Sequence, residues 1–161
     1  MEKLQIENIP EELSKFPHWV AWKATDRGNR KISKLPVNPM TGKYAKTNDP
    51  TTWGEYETAV AHCQNNGLQG IGYVFSKDDP FIGIDLDDCL NPEGTFEAWA
   101  EEIVKQFDSY TEISPSGRGA HIFLRGRLPG AGKNNGQAEM YDTGRFFTMT
   151  GNHMQGTPTE I

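Results

Sequence analysis

The sequence predicts an α+β domain, and three observations carry that reading. Short apolar runs with two-residue alternation recur along the chain, Gly, Pro, Asn and Asp clusters separate them, and two further stretches show apolar residues at helical spacing. The run Ile71-Gly72-Tyr73-Val74-Phe75 precedes Phe81-Ile82-Gly83-Ile84-Asp85-Leu86 across a Lys77-Asp78-Asp79-Pro80 turn, so the two are expected as neighbouring strands.

From the start, Asn8-Ile9-Pro10-Glu11-Glu12-Leu13 predicts a helix, with Pro10 near its first position, two acids in its first turn and Pro17 as its stop. Trp19-Val20-Ala21-Trp22 predicts a core strand with both indoles on one face. Arg30 to Pro39 alternates loosely before Met40-Thr41-Gly42-Lys43 turns the chain. Thr52-Trp53-Gly54-Glu55 has capping-box spacing, and Tyr56, Ala59, Val60 and Cys63 continue as a helical stripe that Gly67 ends. Thr95 is expected to cap a second helix, with stripe Phe96, Trp99, Ile103 and Phe107. Short connections argue against a flexible linker between domains.

At 161 residues the chain is long enough to bury a real core, as one domain or two small lobes sharing it. No stretch reaches the length of a membrane span and the start lacks an apolar signal region, so a cytoplasmic protein is expected. Cys63 and Cys89 lack metal-type spacing and are expected as buried small hydrophobes. A net charge of -6 argues against bulk, histone-like nucleic-acid binding. Its distribution is uneven. Basic residues dominate Lys23 to Lys46, and Arg118, Arg125, Arg127 and Lys133 fill an acid-free stretch from Ile113 to Ala138. If both regions flank the acidic strand between them, the site attracts a polyanion while holding cations at its floor.

That acidic strand is where chemistry is expected. Alternation puts Ile82, Ile84 and Leu86 on one face and Phe81, Gly83, Asp85 and Asp87 on the other. Two ionised carboxylates on one face raise each other's pKa unless a cation lies between them, which points to a metal site, and Gly83 is expected to leave space for a ligand.

Two later stretches add to it. In Ser114-Pro115-Ser116-Gly117-Arg118-Gly119-Ala120-His121, a Ser/Gly turn can offer N–H groups and hydroxyls to an anion, and His121, Phe123 and Arg125 share one face of the strand that follows. Ala138 to Gly151 predicts a hairpin around Asp142-Thr143-Gly144, with Glu139 either paired to Arg145 or facing Asp85 and Asp87. In the second arrangement three carboxylates can hold two divalent ions, and His121 or Arg145 is placed to neutralise a triphosphate.

Taken in order, Gly83-Ile84-Asp85-Leu86-Asp87, Ser114 to His121 and Glu139-Met140-Tyr141-Asp142-Thr143-Gly144-Arg145 resemble the primase-polymerase domains of phage and plasmid replication proteins, in the archaeo-eukaryotic primase superfamily. The resemblance runs from about Asn8 to Asn152. It implies an RRM-like antiparallel or mixed sheet with packed helices, carrying the metal site over residues 71–155. An N-terminal α/β lobe over residues 1–70 joins it, with the active-site cleft between them and the whole of 1–161 as one catalytic domain. It implies Asp85, Asp87 and Glu139 as catalytic, metal-binding carboxylates for Mg2+ or Mn2+. Ser114, Ser116, Gly117, Gly119, His121 and Arg145 become the nucleotide contacts. Lys31, Lys34, Asn38, Arg118 and Arg125 are candidate template or phosphate contacts. The implied partners are nucleoside triphosphates, a single-stranded DNA template and a helicase domain or subunit encoded beyond residue 161, with the protein itself a monomer.

Two rival classes set the tests. Asp-x-Asp also serves metal nucleases and nucleotide-sugar glycosyltransferases, yet a nuclease has no need of a triphosphate-binding turn. A non-catalytic single-strand module would stack bases on Phe81, Phe123 and Tyr141, and would not need three carboxylates.

Overall fold

The first strand, β1 (Trp19–Asp26), is buried along its first half and sits inside a four-stranded antiparallel sheet. Its partners are β2 (Ile32–Val37) on one side and β3 (Gly70–Val74) on the other, and β9 (Phe146–Met149) closes the far side of β3. A second sheet of five strands is centred on β4 (Phe81–Leu86), β6 (Ala120–Arg125) and β8 (Ala138–Tyr141), with β5 (Thr111–Ile113) and β7 (Lys133–Asn134) at its edges. Three helices complete the domain: α1 (Glu11–Ser14), α2 (Tyr56–Asn65) and α3 (Ala98–Phe107). The computed structural model describes residues 3–26, 28 and 32–161.

The α+β reading holds, with antiparallel sheets and few helices. Two pairings differ from expectation. β3 and β4 are consecutive but lie in different sheets, and so do β8 and β9, so neither pair is a hairpin. Each junction crosses between layers because the strands carry apolar residues on both faces, which one two-stranded ribbon could not bury. The first sheet therefore takes β1 and β2 from the early chain and β9 from its end.

Alternation along β4 works as expected. Ile84 and Leu86 join Ala120, Ile122, Ala100 and Val104 in a core between the second sheet and α3. The other face, through Phe81 and Phe123, packs with Trp19, Ile71, Tyr73, Phe147 and Met149 of the first sheet and with Leu13, Ala59 and Cys63 of the helices. Gly83 departs from the expected ligand space: a Cβ there would lie 2.5 Å from the rings of both Phe75 and Phe147. It admits core aromatics, not a ligand.

The indoles also separate. Residues three apart on a strand point to opposite faces, so Trp19 enters the main core while Trp22 lies over Gly70, whose added Cβ would fall 2.7 Å from the indole nitrogen. The expected caps are absent. Thr52 bonds to the Lys46 and Asp49 carbonyls, and Asp49 caps a short 3-10 turn over Pro50–Thr52, leaving Glu55 before α2. Thr95 bonds to Asn91, and Glu97 precedes α3, whose buried positions are Ala100 and Val104. Gly67 does end α2, at φ +60, with the Leu68 N–H donating to the Cys63 carbonyl at 3.0 Å. Both cysteines are free and buried. Among the described residues no helix is long and apolar enough to cross a membrane.

Candidate active site

Strand register in the second sheet lines up five polar residues in one row. Reading across from the edge, Glu112 of β5 stands opposite His121 of β6, His121 opposite Asp85 of β4, Asp85 opposite Glu139 of β8, and Glu139 opposite Asn134 of β7. Such a row on a buried face is costly unless each member meets a partner or a ligand. Phe81, Gly83 and Phe123 occupy the same face one step below, where the first sheet covers it, so the polar row begins where that cover ends.

The row opens on a cleft of about 320 Å³, lined by Lys34, Asp85, His121, Asn134, Glu139, Tyr141, Arg145 and the β9 residues Phe146 to Thr148. His121 is held at both nitrogens. Nδ1 lies 3.0 Å from the Thr148 carbonyl oxygen, and Nε2 lies 3.4 Å from Asp85 Oδ1. Both neighbours are acceptors, an arrangement that favours the ring protonated on both nitrogens. Burial alone would lower its pKa, but the Asp85 carboxylate, assisted by Glu112, raises it above the ordinary histidine value. For Asp85 the balance runs the other way: burial acts to raise its pKa, and His121 and Lys34 overcome this and lower it.

Asp87 lies in the turn just past β4 and is exposed. Its pKa is raised, by partial burial first and then by the negative charges of Asp85, Glu139 and Asp88. Asp85, Asp87 and Glu139 therefore share one field, with Asp88 beside them. Among the described residues, however, no three acidic, histidine or cysteine side chains form a ready ion site. The rotamers explain this, because Asp85 turns to His121 while Glu139 accepts a bond from Asn134 Nδ2 at 2.8 Å. The donor set is all oxygen and anionic, which suits a hard divalent ion such as Mg2+ or Mn2+.

On the opposite side of the cleft the charge is positive. Lys34, Trp22, Gly70, Gly72 and Thr148 share one face of the first sheet, through the pairs Lys34–Ala24, Trp22–Gly70 and Gly72–Thr148. Lys34 Nζ stands 5.9 Å from the Trp22 ring. Desolvation lowers its pKa while Asp85 and Asp87 pull it upward. Arg145 lies over the Tyr141 ring at 4.7 Å and makes no ion pair with Glu139 among the described residues, so the salt-bridge alternative does not form.

Several expected contacts lie elsewhere. None of Ser114, Ser116, Gly117 and Gly119 lines the cleft. Their turn spends its polar groups on itself, with the Gly117 N–H on the Ser114 carbonyl and the Arg118 N–H on Ser116 Oγ. A Cβ at Gly119 would sit 2.8 Å from the Leu86 carbonyl, so this glycine lets the turn approach β4, while the space around Gly117 is open. Arg118 pairs with Asp88 at 3.6 Å, and its carbonyl receives the Cys89 and Leu90 N–H groups. Arg125 lies at the far end of β6, paired with Glu12 at 3.4 Å. Arg127 donates to the Ser76, Lys77 and Asp79 carbonyls. Asn38 is buried and accepts the Met40 N–H. Lys31 lies outside the described residues. Phe81 and Phe123 are fully buried and cannot stack bases.

Residues unforeseen in the sequence complete the site. Glu112 is fully buried and accepts from Tyr110 Oη and from the Thr150 and Gly151 N–H groups, stitching the end of β9 to β5. Asn134 and Thr148 join the lining. A threonine inside the apolar run Phe146-Phe147-Thr148-Met149 was the available signal for the last of these.

No protein-family profile matches the chain. The chain is 40% identical over 151 residues, 89% of its own length, to a protein of Nitratiruptor phage NrS-1 named DNA Primase-polymerase. It spans 20% of that relative's length.

Proposed function

We propose that this chain, homologous over most of its length to a phage DNA primase-polymerase, is the catalytic domain of such an enzyme: a metal-dependent nucleotidyltransferase that builds a strand on a single-stranded template from nucleoside triphosphates. The observation that carries this reading is the cleft lined by charges of both signs, Asp85 and Glu139 against Lys34 and Arg145, with His121 beside Asp85 and with Asp87 close enough to feel both carboxylates. A triphosphate bound through a cation needs both signs. The order β5-β6-β4-β8, with β4-α3-β5 as a split βαβ unit, supports the RRM-like description of the second sheet.

In the reaction the 3′-oxygen of the growing strand attacks the α-phosphorus, the new P–O bond forms, and the bond to the β-phosphate oxygen breaks to release pyrophosphate. The hydroxyl proton passes to solvent. Asp85, Asp87 and Glu139 would hold the divalent ions, which supply Lewis-acid activation of the 3′-oxygen and charge neutralisation at the phosphates. The imidazolium of His121 stands beside Asp85 and balances charge on a phosphate without giving up its own proton. Lys34 and Arg145 act as the outer anchors of the triphosphate, and the Tyr141 ring keeps the Arg145 guanidinium over the cleft. A helicase partner and monomeric action belong to the same proposal.

The test is primer extension by the purified chain with Mg2+ or Mn2+, with ribo- and deoxyribonucleotide pools offered separately and pyrophosphate release followed in parallel. Template-dependent extension is expected. Shortening of the primer without any need for triphosphate would identify a nuclease instead.

A further inference from the structure

Among the described residues, one buried side-chain polar atom has no hydrogen-bond partner: the Thr148 hydroxyl. Buried hydroxyls are almost always satisfied, because leaving one unpaired forfeits its bonds to water with no return. Nothing in the fold asks for it. Valine has nearly the same shape and would suit the apolar strand better, so the oxygen itself needs a reason. The surroundings cannot supply a partner. Across the strand pair Thr148 faces Gly72, which has no side chain, and the Phe146 ring covers that glycine from the same face. The Thr148 carbonyl is already occupied by His121 Nδ1. Yet Thr148 lines the cleft, and it does so on the wall that carries Lys34.

We propose that the Thr148 hydroxyl binds the ligand directly, donating a hydrogen bond to a phosphate oxygen of the incoming nucleoside triphosphate. The choice of phosphate over sugar follows from charge. Thr148 lines the same cleft as Lys34 and Arg145, and its backbone carbonyl seats His121, so a ligand held there meets two fixed cations. A sugar hydroxyl or a base gains little from such a field, whereas a phosphate oxygen gains most from it. Thr148 then has two jobs on one residue: its carbonyl orients His121 and its hydroxyl reads the anion that His121 neutralises. The proposal rests on the nucleotidyltransferase reading for the identity of the ligand.

Two variants test it, Thr148→Val and Thr148→Ser, with three readouts: apo melting temperature, binding of inorganic triphosphate in the presence of Mg2+, and KM for ribo- and deoxyribonucleotides. Thr148→Val should leave the apo melting temperature unchanged or raised, since it removes an unsatisfied group. It should weaken inorganic triphosphate and both nucleotide classes about tenfold or more, the worth of one bond to a charged acceptor. Thr148→Ser should restore most of that loss, and the ribo-to-deoxy preference should not move. Unchanged triphosphate binding in Thr148→Val overturns the proposal. So does a changed sugar preference with inorganic triphosphate unaffected, which would make the contact a sugar contact, and so does a fall in apo melting temperature, which would make it a fold contact. A wild-type chain that binds no triphosphate at all overturns the functional reading as well, an outcome distinct from a wild type that binds and a Thr148→Val variant that binds equally.

Discussion

Two buried histidines in this chain each face an aspartate, and the two aspartates differ in what else reaches them. Asp79 has 0% side-chain exposure and accepts four donors: His18 Nδ1 at 3.1 Å, Tyr73 Oη at 3.1 Å, and the N–H groups of Ser76 and Phe81 at 3.0 and 2.8 Å. Asp85 keeps 28% side-chain exposure and, among the described residues, meets one donor, His121, at a loose 3.4 Å. A fully buried carboxylate that already meets four protein donors is closed to a ligand, and it fixes the crossing from β3 to β4. One with a single donor at a cleft can still bind. The same residue pair is thus a rivet in one place and a docking point in the other, and partner number tells them apart.

The largest effect should come from the docking point. Asp85→Ala, Asp87→Ala and Glu139→Ala should each cut nucleotide incorporation by about 10³-fold or more, beyond the loss of a single preorganised donor, while circular dichroism stays near wild type in all three and melting does so in Asp87→Ala and Glu139→Ala. Robust incorporation by any of the three would break the comparison at its functional end. Asp79→Ala should reverse the pattern. It strands His18, Tyr73 and two backbone N–H groups in the core, so denaturant melts should show a loss of about 3–5 kcal/mol, as for other broken buried pairs. A loss under 1 kcal/mol would mean that Asp79 is no rivet.

Gly83→Ala sharpens the contrast from the packing side. Its Cβ would push on the Phe75 and Phe147 rings, and the expected cost is about 1–3 kcal/mol in stability. A stabilised variant would show open space there after all. The smallest effect concerns pH. His121, with a raised folded-state pKa, adds stability that is present below its unfolded value near ~6.5 and is lost as pH rises through the folded value. Asp85, with a lowered one, adds stability present above about 3.9 and lost as pH falls through its folded value. The stability difference between wild type and Asp85→Asn should therefore peak between roughly pH 4 and 6.5 and shrink on both sides. A difference that does not change with pH would show that the pair is not ionic.

The faces of β4 were legible because alternation is local: Ile84, Leu86 and Asp85 need only their own strand to declare which way they point. The Asp85–His121–Glu139 cluster was legible because cross-strand neighbours follow once the strands are ordered. Sheet membership was not. Nothing between Phe75 and Phe81 states that the chain changes layers, since that depends on Asp79 finding His18, 61 residues away. The Ser/Gly turn shows the same limit, because its local sequence does not say that its groups also close the turn on itself, with the Gly117 N–H on the Ser114 carbonyl and the Arg118 N–H on Ser116 Oγ. Glu112 carries no local sign of burial, which depends on Thr150 and Gly151 arriving from the far end of the chain.

That late arrival bears on how the protein is made. β1, β2 and β3 can pair as soon as Val74 has left the ribosome, but the other side of β3 stays unpaired until Phe146–Met149 emerges, several seconds later at ordinary rates of synthesis. During that interval the nascent chain shows an open edge of five apolar residues, Gly70 to Val74, of the kind to which stray strands add. β9 therefore works as a stopper as well as a wall of the cleft. A chain cut anywhere before it would lose Thr148 and Glu112's partners together, and would leave that edge bare.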